Sequence, residues 1–197
     1  MNADRLKMQL GFITEIDKLK QVLRRTLTID EDRNENDAEH SWHLATMAVL
    51  LAEHVTGDPV DIFRVVKMAL VHDIVEVDAG DTYCYSGADP REKLERETRA
   101  ADRLFNMLPA DQAGEVRALW DEFEARATPE ARYANALDRL QPLLLNYHTD
   151  GKTWLKYGVT RGQVLRRARP IKESSPALWE FADGLIEDAV RRGILGE

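Results

Sequence analysis

The side chains best able to do chemistry in this chain are histidines and carboxylates set in apolar surroundings. His72 and Asp73 adjoin each other in the segment KMALVHDIVEV, where an ionised carboxylate without a partner is costly to bury. Imidazole and carboxylate together suit a borderline divalent ion such as Mn²⁺, Fe²⁺, Co²⁺ or Zn²⁺, so a cation is the natural compensation. Adjacent helical residues diverge by about 100° in azimuth. One ion can therefore take both only over a bend, with two other helices supplying further ligands. Glu39-His40, and Asp138 in the apolar run NALDRLQPLLL, are the suppliers to expect. The plainer alternative for Asp138 is an ion pair with Arg139 or another basic side chain. His43, three residues after His40, can share its helix face and support it from behind. His54 and His148 read as structural.

Helices must hold these residues. From Arg5 to Arg25 the apolar positions Leu6, Leu10, Ile13, Ile16, Leu19 and Leu23 step by three or four, which predicts a first helix with one apolar face. A polar, acidic stretch follows to Asn36, and Asp37 is placed to cap a second helix running to about Val55. Gly57 and Pro59 stop that helix and start a third, over about Val60 to Val77. Residues Asp78 to Asp89 read as an ordered surface loop in which Gly80 adopts a left-handed conformation. Further helices are expected after Pro90, over Asp111 to Arg126, from Thr128-Pro129-Glu130 to about His148, and from Ser175 to Arg192 with Gly193 just beyond. With no sustained period-two alternation, the architecture expected is an all-α bundle.

Composition narrows the function classes. At 197 residues, 44% hydrophobic and 31% charged, with no linker-like run and no fixed-period repeat, residues 1–197 read as one globular domain. Runs such as Ala45 to Ala52 fall far short of the ~18 residues that cross a bilayer, so no membrane span is expected. A net charge of −8 has the wrong sign for general attraction to a polyphosphate backbone, which argues against duplex nucleic acid as a partner. The only cysteine, Cys84, cannot form an intrachain disulfide, and MNADRLKMQL lacks the pattern of a secretion signal, so a cytoplasmic location is expected.

The pattern resembles the HD-domain metal-dependent phosphohydrolases. Their His, His-Asp and distant Asp signature is matched by His40 in AEHSWH, by His72 and Asp73 in HDIVEVDAGD, and by Asp138 in NALDRLQ. The resemblance is greatest to the 5′-deoxynucleotidase branch, runs from about Leu19 to Trp154, and implies an all-α HD-domain bundle. It also implies one divalent ion (Co, Mn, Fe, Zn or Mg) held by His40, His72, Asp73 and Asp138. Asp81 would orient or deprotonate the attacking water, and Glu76 would position the phosphate-side network or pass a proton. The segment LKQVLRRT corresponds to the one from which that branch draws an arginine toward the substrate phosphate; Arg24 is the best match and Arg25 the next. Arg25 stands where the bacterial type has a tryptophan that helps exclude ribonucleotides, so the resemblance implies phosphatase activity more directly than a choice of sugar. A small nucleotide is the implied substrate and a homodimer the implied assembly. Two other readings compete: hydrolysis of another small phosphate ester or nucleotide polyphosphate, and a non-catalytic nucleotide-binding helical module.

Overall fold

The computed structural model describes residues 3–30 and 33–197. In chain order its elements are α1 (Ala3–Ile16), β1 (Leu23–Leu27), β2 (Asn34–Asn36), α2 (Asp37–Leu50), α3 (Ile62–Val71), α4 (Glu76–Ala79), α5 (Pro90–Phe105), α6 (Ala110–Ala125), α7 (Pro129–His148), α8 (Lys152–Tyr157), α9 (Arg161–Ser174) and α10 (Pro176–Arg191). No helix among the described residues is long and apolar enough to cross a membrane.

The centre of the fold is α7. Thr128 caps its start by accepting from the Ala131 N–H, and Pro129 begins it. Both polar and apolar residues along it are buried, from Tyr133 to Asn146. A helix hydrophobic on several faces must be enclosed by others. Helices α2, α3, α6, α9 and α10 surround it, and Leu44, Met68, Leu137, Leu140, Ile171 and Ile186 make one core there. A second core forms where Phe12 of α1 meets Ile74, Val75, Leu104, Phe105 and Trp120.

The first helix is shorter than its periodicity predicts. It ends at Ile16, passes through a 3₁₀ turn (Asp17–Gln21), and the chain then extends as β1 to pair antiparallel with β2. Register runs Leu23 opposite Asn36 and Leu27 opposite Asn34 with an irregularity between, so the bundle carries one small sheet. The expected apolar face of α1 also lies differently: Phe12 is buried, whereas Leu6, Leu10 and Ile13 are exposed.

Helix α2 starts one residue earlier than expected. Asn36, not Asp37, is the cap: its side chain accepts from the Glu39 N–H while the Glu39 carboxylate accepts from the Asn36 N–H. It stops at Leu50 rather than Val55, followed by a 3₁₀ turn over Ala52–His54. The expected third helix is broken in two. The His72 N–H still bonds four residues back to Met68, but the Ile74, Glu76 and Val77 N–H groups bond only three residues back, tightening the chain between α3 and α4. Gly80 has positive φ (72°) but ψ of 148°, an extended, glycine-favouring conformation rather than the left-handed helical one. Helices α8 and α9 lie where no element was expected; α9 opens with a capping box of Thr160 and Gln163.

Candidate metal centre

The break between α3 and α4 is what lets His72 and Asp73 work together. Because the backbone turns there, adjacent residues direct both side chains to one point, and the His40 and His72 rings lie 5.5 Å apart between centroids. His40 comes from the first turn of α2, and Asp138 from mid-α7, four residues before Pro142. That proline has no N–H to bond the Asp138 carbonyl, which loosens the helix beside the site. All four side chains are buried: His40 0%, His72 5%, Asp73 8% and Asp138 5% exposed.

Gln141 sets the orientation of His40. Its Nε2 donates to Glu35 Oε1 (2.5 Å) and lies 3.2 Å from His43 Nδ1, so its Oε1 faces His40 Nδ1 at 3.0 Å and accepts that N–H. Burial first, and the charge of Arg24 next, lower the His40 pKa to about 4, which keeps the ring neutral with a single N–H. The Nε2 lone pair therefore faces Asp138 Oδ1 at 3.0 Å with no proton between them. His72 repeats the arrangement. Its Nδ1–H donates to the Ala69 carbonyl (2.9 Å), leaving a buried Nε2 without a hydrogen-bond partner, 3.2 Å from Asp73 Oδ1.

Two imidazole lone pairs facing two carboxylate oxygens repel one another unless a cation lies between them. His72 Nε2 is 3.9 Å from Asp138 Oδ1, and His40 Nε2 is 3.9 Å from Asp73 Oδ2. Ligands at ~2.1 Å from an ion sit roughly 3.0 to 3.4 Å apart in octahedral or tetrahedral arrangements, so these spacings need only small adjustment. The donor atoms of His40, His72 and Asp73 lie within 4.8 Å of one another and Asp138 Oδ1 adjoins both imidazoles, a donor set that suits a borderline divalent ion.

The second oxygen of each aspartate is held by an arginine. Arg24 Nη1 donates to Asp73 Oδ2 (2.9 Å) and also to Asp37 Oδ1 (3.0 Å), and Arg139 Nη1 pairs with Asp138 Oδ2. The ion pair foreseen as the plainer reading of Asp138 thus exists, but it uses one oxygen and leaves the other for His40. Arg24 lines the cavity as well, and its Nη1 is shared between two carboxylates. Glu39 stays outside the cluster, capping α2 and pairing with Arg33. His43 does stand behind His40, through Gln141.

Glu76 and Asp81 line the same cavity as His72, Asp73 and Asp138. Burial, then the charges of Asp73, Asp37 and Asp81, push Glu76 well above the usual carboxylate range. Burial also raises Asp81, against the opposing pull of Arg24. Asp73 goes the other way: burial would raise it, but the positive charge around it, Arg24 included, more than offsets that and holds it ionised. The cavity opens to solvent, and Arg25, Tyr83, Tyr85, Arg126 and Arg167 also line it.

Gln141 and Arg167 were not named from the sequence, and Asp37 and Arg139 were expected there only as a helix cap and as an ion-pair partner of Asp138. Asp37 is fully buried; burial and the charge of Asp73 raise it to about 6, with Arg24 opposing. A buried glutamine and arginine in the same run as Asp138 were visible as polar breaks in an apolar helix, the signal that had marked Asp138 itself.

Comparison with known proteins agrees with this geometry. The HD domain family model matches residues 16–179. The chain is 31% identical over 137 residues to bovine (Bos taurus) 5′-deoxynucleotidase HDDC2, a stretch covering 68% of this chain and 64% of that one. It is 30% identical to the human (Homo sapiens) protein of the same name, over 68% of this chain and 65% of that one. The chain thus spans slightly less than two thirds of these relatives' length. A crystal structure described as a predicted metal-dependent phosphohydrolase from Magnetospirillum magnetotacticum MS-1 superposes with a TM-score of 0.94 at 54% identity, covering 98% of this chain and 96% of that one. A matching domain over most of the chain, a shared fold and a His/Asp cluster at its centre place this chain in the HD-domain family of phosphohydrolases.

Proposed function

We propose that the chain is a divalent-metal-dependent phosphomonoesterase that hydrolyses nucleoside 5′-monophosphates, deoxyribonucleotides among them, to nucleoside and phosphate. The observation that carries this is the pair of buried imidazole lone pairs facing two carboxylate oxygens at one end of an open, arginine-lined cavity. The names of the 5′-deoxynucleotidase relatives support the choice of substrate.

His40, His72, Asp73 and Asp138 would hold the ion. When bound, it makes water more acidic and offsets phosphate charge, both of which monoester hydrolysis needs. Arg24 keeps Asp73 turned toward the cluster, Arg139 does the same for Asp138, and Gln141 keeps the His40 Nε2 lone pair free. Asp81, on the loop after α4, orients the attacking water and takes its proton. Glu76, whose protonated form its surroundings favour, is suited to hand a proton to the leaving oxygen. Remaining Arg24 N–H groups would meet the phosphate oxygens.

The exposed row Leu6, Leu10 and Ile13 on α1 supports a homodimer that buries this face, and sedimentation velocity of a Leu10→Asp, Ile13→Asp variant checks it. The function itself is tested by metal analysis and by phosphate release from deoxy- and ribonucleoside monophosphates with added Co²⁺ or Mn²⁺. Phosphate release is expected from the intact protein, and Asp73→Ala should lose ion and activity together. Full activity with unchanged metal content in that variant refutes the assignment.

A further inference from the structure

The cavity is electrically divided. Around Arg24 it is rich in acid: Asp37, Asp73, Asp81 and Glu76 all act on that one guanidinium. Beyond Asp138 the balance reverses. Arg139 and Arg167 converge on a single carboxylate oxygen, Asp138 Oδ2, with Arg167 Nη2 at 3.9 Å. Arg126 and Glu124 line the same end of the cavity and act on Arg139 with opposite sign. The side chain of Arg139 is only 4% exposed, and its Nη1, although ion-paired with Asp138, makes no hydrogen bond of sound geometry. Arg167 is 35% exposed and reaches the cavity from α9.

Three guanidiniums here face two carboxylates, one of which, Asp138, also turns its other oxygen to His40. A guanidinium keeps its proton in proteins, so the excess positive charge is permanent. Arg139, the buried one, is partnered by Asp138 and by Asn135 Oδ1 (3.3 Å), whereas Arg167 approaches Asp138 only at 3.9 Å and keeps donors for a ligand. A forked donor on a cavity wall, backed by a second guanidinium, matches the oxygens of a phosphate. Tyr85 lines the cavity together with these arginines.

We propose that Arg139 and Arg167 form a second anion subsite, on the far side of Asp138 from Arg24, that receives a phosphate group of the substrate other than the one hydrolysed at the His/Asp cluster. The inference rests on the phosphohydrolase reading for the substrate's other end. It favours a nucleotide carrying two phosphates over a simple monophosphate.

Two measurements separate this subsite from the catalytic reading. Inorganic phosphate is first titrated by calorimetry into chelator-treated protein, which isolates the arginine end from any ion. Binding is expected, weakened about tenfold or more in Arg167→Gln, as loss of a charged hydrogen bond implies, and partly restored in Arg167→Lys. Absent binding, or binding that Arg167→Gln leaves unchanged, overturns the subsite whether or not the protein releases phosphate with Mn²⁺. The Mn²⁺-loaded Asp81→Asn protein is then titrated with deoxyadenosine 5′-monophosphate, 5′-diphosphate and 3′,5′-bisphosphate. At least one doubly phosphorylated ligand should bind about tenfold tighter than the monophosphate, and adding Arg167→Gln should bring the ratio near one. The ligand preferred tells whether the second phosphate lies next to the first or across the sugar. Equal affinity for all three, or a ratio that survives Arg167→Gln, contradicts the proposal.

Discussion

Replacing Gln141 by methionine should weaken metal binding without touching a ligand. Gln141 is fully buried and holds three partners: it accepts from His40 Nδ1–H at 3.0 Å, donates to Glu35 Oε1 at 2.5 Å and approaches His43 Nδ1 at 3.2 Å. Methionine has similar length and none of these groups. His40 would then be free to move its proton to Nε2, the nitrogen an ion needs unprotonated. Loss of such a supporting partner lowers metal affinity about 10- to 100-fold, or roughly 1.4 to 2.7 kcal/mol. Leaving Glu35 Oε1 without its donor adds about 1–3 kcal/mol of fold destabilisation. Gln141→Glu is the control: it still offers His40 an acceptor but sets a second carboxylate against Glu35, so it should lower stability more than metal affinity. Competition of each variant against a chromogenic chelator for Co²⁺, alongside urea melts of the metal-free forms, gives both quantities. Unchanged Co²⁺ affinity in a folded Gln141→Met protein would show that Gln141 does not fix the His40 proton.

Three other outcomes are expected. In metal-free protein, the stability tied to His40 is complete above its ordinary pKa of 6.5 and is lost as pH falls toward about 4. That tied to Asp37 is complete below 3.8 and is lost as pH rises through about 6. Each effect is on the order of 3 kcal/mol, and the two offset, so Asp37→Asn should lose stability from pH 6.5 to 4 more steeply than the parent in urea melts; an identical pH slope contradicts this. Asp81→Ala should retain the ion yet release no phosphate, whereas loss of bound metal would make Asp81 a ligand. At Gly151, φ is 65° and an added Cβ would lie 1.9 Å from the Ile194 carbonyl oxygen. Gly151→Ala should therefore cost more than about 1 kcal/mol, read as a lower urea midpoint, and an unchanged midpoint would refute the close docking of the C-terminal segment there.

Local signals in the sequence located the longer helices well. Thr128-Pro129 and Ser175 cap α7 and α10, as their residue types dictate. Polar residues inside apolar runs marked His72, Asp73 and Asp138, because buried charge needs a partner whatever the fold. Features that depend on distant contacts were hidden. The strand at Leu23–Leu27 exists because Asn34–Asn36 comes back to pair with it, and helical spacing of leucines cannot reveal that. The break at His72-Asp73 leaves no glycine or proline as a mark. Helix α9 was legible in principle, since Thr160 and Gln163 spell a capping box, but its strongly basic surface masks the apolar periodicity. Arg24 and Arg139 could be named from their types; that each takes the outer oxygen of an aspartate required the packing of β1 and α7 around the break.

The most direct test is diffraction from crystals grown with Mn²⁺, with anomalous data collected on either side of the metal's absorption edge. One strong peak is expected, within bonding distance of His40 Nε2, His72 Nε2 and oxygens of Asp73 and Asp138. A fully loaded protein whose anomalous signal lies elsewhere, or crystals with Arg24 alone filling the space between those four side chains, would contradict it.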